Sequence, residues 1–234
     1  MCGRYSLTTP VESIAETFRV EERPNLPPRY NVAPTDEVAA VRRRRGGEGR
    51  ELVMLRWGLV PFWAQDIGIG ARLINARAET LGRKPAFREA FGRRHCLVVA
   101  DGFYEWRKAA DGRKQAYRVT LAGGGPFGFA GLWERWKAPD GRMVESCTIV
   151  TTDPNPLLRP IHDRMPAIVG PADHDTWLDA RVSEAGRLLA PFPAEAMAVY
   201  PVSSRVNNVR NDDAACIARD EHPIFAEPAQ LKLL

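Results

Sequence analysis

Turns marked by glycine divide much of this sequence into apolar segments of strand length. Three such turns, Asp111-Gly112, Gly123-Gly124-Gly125 and Asp140-Gly141, follow one another in the middle of the chain. Short apolar runs between turn residues are typical of β-strands joined by hairpins. A chain organised in this way builds its core around a sheet. The clearest strand candidates are residues 36–41, 51–57, 146–151 and 199–203.

Helical signals are short and scattered by comparison. Residues 8–20 predict a short helix, in which Thr8 or Thr9 can cap the first turn and Pro10 fits its start. Many short strands with few helices favour a single α+β domain, with a curved, mostly antiparallel sheet, a barrel-like core and flanking short helices. We expect this domain to span residues 2–222, followed by a tail over residues 223–234. Further short helices are predicted at residues 86–91, 173–178, 193–197 and 212–217.

Composition limits the possible functions only loosely. Hydrophobic residues make up 44% of the 234-residue chain, which is enough for a buried core. No apolar run is long enough to cross a membrane, so we expect no membrane partner. The net charge of +4 includes 33 basic residues, of which only five are lysine. This arginine excess is compatible with a nucleic-acid partner, although a genome rich in arginine codons explains it equally well.

The four cysteines indicate a reducing environment. Cys2, Cys96, Cys147 and Cys216 are far apart and form no C-x-x-C pair. Zinc ligands are therefore not evident, and we expect neither a metal nor another cofactor. Because the N-terminus shows no secretory leader, a cytoplasmic location is favoured over a disulfide framework. Cys96 and Cys147 lie in apolar runs and are predicted to be buried core thiols.

The N-terminus carries a residue with two reactive groups. Removal of Met1 would leave Cys2 with a free α-amine and a thiol, whose reference pKa values are ~8 and ~8.5. Such an amine can attack an aldehyde to form a Schiff base. The thiol can then close on the imine carbon to form a thiazolidine ring. Gly3 allows close approach to the backbone and Arg4 adds a positive charge, whereas the alternative is a frayed chain start without function.

A run of four arginines, residues 42–45, precedes Gly46-Gly47. The strand candidates on either side indicate that this run lies in a hairpin. We interpret it as a solvated loop, with a DNA contact as the alternative.

Four short motifs occur together and in order. They are Cys2-Gly3-Arg4-Tyr5, Asn75-Ala76-Arg77-Ala78-Glu79, Gly102-Phe103-Tyr104-Glu105-Trp106 and His162-Asp163-Arg164-Met165-Pro166. With these motifs the sequence resembles the SOS response-associated peptidase (SRAP) family from Cys2 to about Cys216. The segments 29–34, 57–61 and 202–207 add to the resemblance, whereas we expect variation within residues 42–50 and 63–75.

The resemblance implies a sensor of abasic sites in single-stranded DNA. An abasic deoxyribose opens to an aldehyde, which members of the family capture with the mature N-terminal cysteine as a thiazolidine cross-link. The cross-link would shield the lesion from strand cleavage. We also expect a bacterial, cytoplasmic and nucleoid-associated protein that acts as a monomer.

The matching positions imply four catalytic residues, Cys2, Asn75, Glu105 and His162. Cys2 would act as the nucleophile through its amine and then its thiol. Glu105 would take a proton from the amine and protonate the sugar ring oxygen, and His162 would shuttle protons near neutral pH. Asn75 would hydrogen-bond a sugar hydroxyl or hold the backbone of Cys2. The alternatives are a surface carboxylate for Glu105, a structural role for His162 and a turn cap for Asn75.

Six further residues are expected to contact DNA, namely Arg4, Asn31, Trp63, Arg77, Trp106 and Arg164. The three arginines would bind phosphates next to the lesion, or would instead form salt bridges, for example with Glu79 or Asp163. Trp63, its neighbour Phe62, and Trp106 would stack against bases. Core packing is the alternative for these rings, and it is the expected role of Trp57.

Two other classes of function remain open at the level of sequence. Cys2, with His162 and either Glu105 or Asn75, would also suit an N-terminal-nucleophile peptidase, and its only cleavage could be the removal of Met1. A non-catalytic single-stranded DNA-binding module would keep the arginine and tryptophan contacts but would not need a free Cys2. The identity of the N-terminal residue in the mature protein distinguishes these alternatives.

Overall fold

A computed structural model describes residues 2–179 and 185–225 of the chain. This part contains three α-helices, α1 (Val11–Phe18), α2 (Pro85–Arg93) and α3 (His174–Leu178), together with several short 3-10 helices. Its strands are β1 (Tyr5–Leu7), β2 (Arg29–Val32), β3 (Glu37–Arg43), β4 (Arg50–Trp57), β5 (Asn75–Arg77), β6 (His95–Ala100), β7 (Gly102–Lys108), β8 (Lys114–Leu121), β9 (Phe127–Lys137), β10 (Met143–Thr152), β11 (Met165–Pro166), β12 (Ile168–Val169) and β13 (Met197–Val202).

Several of the strands close into a barrel. β10, β4, β3, β6 and β9 are neighbours in that order, and β9 pairs in turn with β10. These pairings are antiparallel, except that β4 runs parallel to β10. The short strand β5 also runs parallel to β10, and β11 pairs with the end of the same strand. β10 therefore collects segments from distant parts of the sequence.

A second sheet packs against the barrel. Its strand order is β13-β8-β7-β1-β2, and its pairings are all antiparallel. Tyr5 joins the two layers, because its ring centre lies 5.4 Å from that of Trp57 and 5.9 Å from that of Phe129. Trp57 is fully buried, which confirms its predicted place in the core. The predicted α+β fold with a mostly antiparallel, barrel-like core is also confirmed.

The glycine turns lie where the sequence predicts them. Gly112, Gly124 and Gly141 have φ angles of +87°, +69° and +88°, in the left-handed region that glycine adopts without strain. They connect β7 to β8, β8 to β9 and β9 to β10. The strand predicted over residues 146–151 forms the second half of the longer β10.

The first predicted helix is present, but its predicted cap is wrong. α1 begins at Val11, and Pro10 before it makes no side-chain capping bond. The amides and hydroxyls of Thr8 and Thr9 donate instead to one oxygen of Asp101. Because this carboxylate lies on another segment of the chain, the threonines tie the N-terminus to the second sheet rather than to the helix.

Asp101 anchors the N-terminal strand more widely. The Ser6 hydroxyl donates to its Oδ1 at 2.7 Å, and Arg118 forms a buried ion pair with the same oxygen at 3.2 Å. Although burial opposes ionisation, hydrogen bonds from Ser6 and Thr8 hold the pKa of Asp101 below its usual range. The strand that follows Cys2 is thus fixed by side chains as well as by sheet pairing.

The later helical predictions are only partly correct. α2 and α3 confirm two of them. The segments 193–197 and 212–217 form only the 3-10 turns Ala194–Ala196 and Ala214–Cys216, because both are too short to complete a stable α-helix. No helix within the two described ranges is long and apolar enough to span a bilayer. Most of the predicted tail, residues 226–234, lies outside the described residues.

The arginine run is only partly a loop. Arg42 and Arg43 belong to β3, and the hairpin loop follows them. The buried Arg42 places its Nε 2.7 Å from Glu51 Oε1 and its Nη1 2.9 Å from Glu145 Oε2. The prediction of a solvated loop is therefore wrong at its start, because carboxylates on neighbouring strands draw Arg42 into the protein.

Candidate active site

The pairing of β1 with β7 brings the N-terminus beside Glu105. The Tyr104 amide donates to the Arg4 carbonyl oxygen at 3.0 Å, which fixes the two strands side by side. Cys2 lies just before β1, and its side chain is fully buried. Glu105 is only 2% exposed, and its charge acts on the Cys2 thiol. Two candidate residues that are about a hundred positions apart in sequence are therefore neighbours in the fold.

Asn75 holds the backbone of Cys2. It opens β5, where the parallel pairing with β10 sets it opposite Ile149. Its Nδ2 donates to the Cys2 carbonyl oxygen at 2.7 Å, and its Oδ1 is buried with no hydrogen bond from any described residue. Of the two roles expected for Asn75, the contact with the backbone is the one present, and a sugar contact stays a prediction.

His162 faces Glu105 from the segment before β11. Its Nδ1 accepts a hydrogen bond from the Arg164 amide at 3.0 Å. Its Nε2 lies 3.9 Å from Glu105 Oε2. The same Nδ1 also lies 2.9 Å from Asp163 Oδ1. The Nε2 side of the His162 ring therefore faces the carboxyl group of Glu105.

Burial shifts the pKa values of the ionisable side chains at the site. It raises the pKa of the Glu105 carboxyl to about 7 and lowers the pKa of His162. Burial, together with the nearby charge of Glu105, raises the pKa of the Cys2 thiol well above its usual range. Near neutral pH, Glu105 therefore exists in both protonation states and can either accept or donate a proton.

Glu105 and His162 border a cavity of about 590 Å³, whose other lining residues are Arg4, Trp106, Lys114 and Asn207. Arg4 donates through Nη1 to Asn31 Oδ1 and to the Val206 carbonyl oxygen, at 2.8 Å each. Its other guanidinium donors make no hydrogen bond to the described residues. Those donors are therefore available to a ligand in the cavity.

Both polar atoms of the Asn31 side-chain amide form hydrogen bonds within the protein. It is 1% exposed, and its Nδ2 donates to the carbonyl oxygens of Val206, Asn208 and Asn211. Its Oδ1 accepts the hydrogen bond from Arg4. Asn31 thus positions Arg4, and its own contact with DNA stays a prediction.

Trp106 stands at the edge of the cavity in a fixed orientation. Its Nε1 donates to Asn207 Oδ1 at 2.7 Å, and the Arg4 guanidinium lies 6.0 Å from the ring centre. The ring is half-buried. A half-buried ring held by its polar edge can still offer an open face to a nucleobase.

Arg77 and Arg164 differ in how far the protein already neutralises them. Arg164 Nη1 lies 2.9 Å from Glu79 and 2.8 Å from Asp153, so the salt bridge expected as an alternative is present with Glu79. Asp163 lies instead 2.9 Å from His162 Nδ1. Arg77 is exposed and has no ion pair among the described residues. The phosphate contact stays a prediction for both arginines, and Arg77 is the better placed to make one.

Comparison with known proteins assigns this chain to a family. The model of the family described as SOS response associated peptidase (SRAP) matches residues 1–209. The chain belongs to the SRAP family. It is 40% identical over 223 residues to the abasic site processing protein YoqW of Bacillus subtilis, an alignment that covers 93% of this chain and 99% of the relative. The resemblance inferred from the four motifs is confirmed.

More distant SRAP relatives and a solved structure agree with this assignment. The chain is 29% identical to the abasic site processing protein HMCES of mouse, across 97% of this chain and 78% of the relative. A crystal structure of a protein from Bacteroides thetaiotaomicron matches with a TM-score of 0.85 and 27% identity, across 94% of this chain and 100% of the other. The likeness therefore extends over the whole barrel and second sheet of the SRAP chain.

Two predicted aromatic contacts lie outside the cavity lined by Glu105 and His162. Trp63 and Phe62 are 48% and 57% exposed, which leaves both rings free of the core. Trp63 lines a different cavity of about 670 Å³, together with Asp66 and Arg72. Base stacking by these rings stays a prediction, at a position separate from that of Trp106.

Sequence reasoning missed Lys114 and Asn207 as parts of the site. Asn207 ends a segment that supports the SRAP resemblance, but no motif shows that it binds the Trp106 indole. Lys114 lies just after the Asp111-Gly112 turn, so hairpin pairing would have placed it near Trp106. The structure holds no group of three or more His, Cys, Asp or Glu side chains suited to a metal ion within residues 2–179 and 185–225.

Proposed function

We propose that this SRAP protein captures abasic sites in single-stranded DNA as a thiazolidine cross-link through Cys2, once Met1 has been removed. Curated relatives in bacteria and in mammals are named abasic site processing proteins. The observation that carries the proposal is the constraint on Cys2, whose carbonyl is held by Asn75 at 2.7 Å beside a buried carboxyl and an imidazole. Such positioning is what a terminal nucleophile requires.

The chemistry proceeds in two bond-forming steps. The Cys2 amine attacks the C1′ aldehyde carbon of the open sugar, and loss of water from the adduct gives an iminium ion. The thiol sulfur then adds to the same carbon and releases its proton. The net reaction consumes one aldehyde, one amine and one thiol, and it yields a thiazolidine and one water.

Glu105 and His162 transfer the protons in these steps. A carboxyl group with a pKa of about 7 accepts a proton from the α-amine and returns it to the departing hydroxyl group. His162 directs its Nε2 towards Glu105 at 3.9 Å and can relay the proton to solvent, since its side chain is 25% exposed. The thiol stays protonated at rest, because burial raises its pKa, so the amine reacts first.

In this proposal, the DNA strand lies across the cavity lined by Arg4 and Trp106. Arg4 offers its remaining donors to a phosphate next to the lesion, and Arg77 offers a second unpaired cation. The open face of Trp106 stacks against a neighbouring base. Bases next to an abasic site lack a stacking neighbour on one side, so an aromatic platform favours such a strand.

A denaturing gel tests the proposal. Protein shown by intact mass to lack Met1 is incubated with single-stranded DNA that carries one abasic site. We expect a heat-stable shifted band that is absent for Cys2→Ala and retained for Cys216→Ala, a matched control that removes another fully buried thiol. Cys2→Ala should still bind the DNA, because phosphate contacts supply most of the affinity. A heat-stable adduct formed by Cys2→Ala without reductant would contradict the thiazolidine.

The same grouping of Cys2, Glu105 and His162 also suits an N-terminal-cysteine peptidase. That activity predicts Cys2-dependent cleavage of a peptide and no DNA adduct. A non-catalytic binding module predicts unchanged DNA binding by protein that retains Met1. The experiment above tests both alternatives if two samples are added. A peptide substrate tests the peptidase, and protein that retains Met1 tests the binding module.

A further inference from the structure

Two lysines face each other at the outer end of the β7–β8 hairpin. The antiparallel register sets Trp106 opposite Ala116, Arg107 opposite Gln115 and Lys108 opposite Lys114. Because side chains alternate along a strand, Lys108 lies on the same face as Trp106, and Lys114 lies on that face as its cross-strand partner. The lysine pair therefore continues the surface that Trp106 begins.

This pair has no counter-charge in the described part of the protein. Neither ammonium group takes part in a hydrogen bond or an ion pair with residues 2–179 or 185–225. The nearest carboxylate in the hairpin, that of Asp111, pairs with Arg113 at 2.7 Å. Like charges directly opposite each other destabilise a strand pair. The sequence therefore keeps an unfavourable pair that a bound anion would convert into a favourable one.

The lysine pair is continuous with the cavity lined by Glu105 and His162. Lys114 forms part of the cavity wall, together with Arg4 and Trp106. Lys108 lies two residues beyond Trp106 on β7, about 7 Å further along the strand. Both lysines are exposed. A strand whose abasic sugar reaches Cys2 and whose next base stacks on Trp106 would leave the cavity over these two cations.

We propose that Lys108 and Lys114 form a subsite for backbone phosphates of the single-stranded DNA flank that leaves the cavity past Trp106. This subsite rests on the proposed function, and it extends the DNA path from the lesion to the outer end of the β7–β8 hairpin. An ammonium on a flexible stem suits phosphates of variable position, whereas the guanidinium of Arg4 is fixed by its own hydrogen bonds.

The first test measures binding of undamaged single-stranded DNA against salt concentration, by fluorescence anisotropy. The variant is Lys108→Gln/Lys114→Gln. Its matched control is Arg135→Gln/Lys137→Gln, which removes two cations from exposed positions of β9 outside the cavity wall. We expect the slope of log K against log[salt] to fall by about 0.7 per lost contact for the lysine pair, with a roughly 5-fold weaker affinity per contact near 0.1 M salt. The control should keep the slope of the wild type.

The second test separates this subsite from the capture chemistry. A trinucleotide with a central abasic site has no flank to reach Lys108, which lies beyond the cavity wall, so the single variant Lys108→Gln should cross-link it at the rate of the wild type. A long oligonucleotide at low concentration should cross-link more slowly with the variant. Extension of the trinucleotide on the 5′ or the 3′ side alone should reveal which flank passes the hairpin.

The third test measures thermal stability. Removal of the like-charge pair should raise the melting temperature of the free protein by roughly 1–4 °C, whereas lysines with a structural role would lower it on substitution. An unchanged salt slope, or an equal loss in the control, would overturn the subsite. Failure of the wild type to cross-link any abasic DNA would instead overturn the proposed function, and the salt slopes would still decide the subsite.

Discussion

The side-chain amide of Asn75 donates a 2.7 Å hydrogen bond to the carbonyl oxygen of Cys2. A residue at a chain end is ordinarily mobile, and this bond fixes the peptide group that follows the nucleophilic amine. The bond exists because β5 runs parallel to β10 and starts at Asn75. The orientation of the Cys2 backbone is thus a property of the barrel.

Asn75→Ala is expected to slow cross-linking by roughly fivefold, because the loss of one hydrogen bond costs about 1 kcal/mol and releases the Cys2 backbone. The rate of adduct formation under single-turnover conditions measures the effect. Asn25→Ala is the control, since Asn25 is exposed and makes no hydrogen bond to the described residues. Equal rates for Asn75→Ala and the control would show that the bond does not orient the nucleophile.

Glu105→Gln and His162→Ala are each expected to slow adduct formation without abolishing it. Positioned acid–base groups contribute roughly 100- to 10,000-fold, and Cys2 keeps its intrinsic reactivity in both variants. Reversal of the adduct should slow as well, because ring opening moves the same protons backwards. The measurement is the rate across pH 5 to 9. If both variants match the wild type at every pH, neither side chain is catalytic.

The raised pKa of Glu105 also predicts how stability depends on pH. Its folded-state pKa of about 7 lies above the usual value of 4.5, so ionisation above pH 4.5 opposes folding and the loss of stability is complete above pH 7. Glu105→Gln should therefore raise the free energy of unfolding by roughly 1–3 kcal/mol at pH 8 and should have little effect at pH 4. Urea unfolding at the two pH values measures this difference. An equal change in the free energy of unfolding at both pH values would contradict the raised pKa of Glu105.

Arg77→Gln should change DNA binding, whereas Arg164→Gln should change the stability of the fold. Arg77 has no ion pair in the described ranges, so its loss should lower the salt slope of DNA binding by about 0.7 and leave the melting temperature unchanged. Arg164 joins Glu79 and Asp153, so its loss should lower the melting temperature by several degrees. Anisotropy titrations and thermal melts distinguish the two. A fall in melting temperature for Arg77→Gln would show instead that Arg77 stabilises the fold.

The sequence predicted the strands well, and it named candidate residues without showing which contacts they make. The glycine turns define the hairpins through local backbone preference, and the family motifs name Cys2, Glu105 and His162 as candidates, which the fold brings close together. The parallel alignment of β5 with β10 cannot be read in this way, because it joins segments that are far apart in the chain.

The roles of the arginines show the same limit. A guanidinium binds a phosphate or a carboxylate equally well, so sequence alone cannot choose between these partners for Arg164. The choice depends on where Glu79 and Asp153 lie in the fold. The position of Lys114 could have been predicted from the sequence, since a two-stranded hairpin around Asp111-Gly112 sets it opposite Lys108.

Asp101 is expected to set the temperature range over which Cys2 is held in place. Chain termini are usually the first segments to detach on warming, and here the second residue has to stay in register with a buried carboxyl. Detachment of this terminus would also break the bonds that Ser6, Thr8, Thr9 and Arg118 make to Asp101. Heat inactivation of the SRAP chain should therefore be abrupt, with the reactive end and its internal anchor released together.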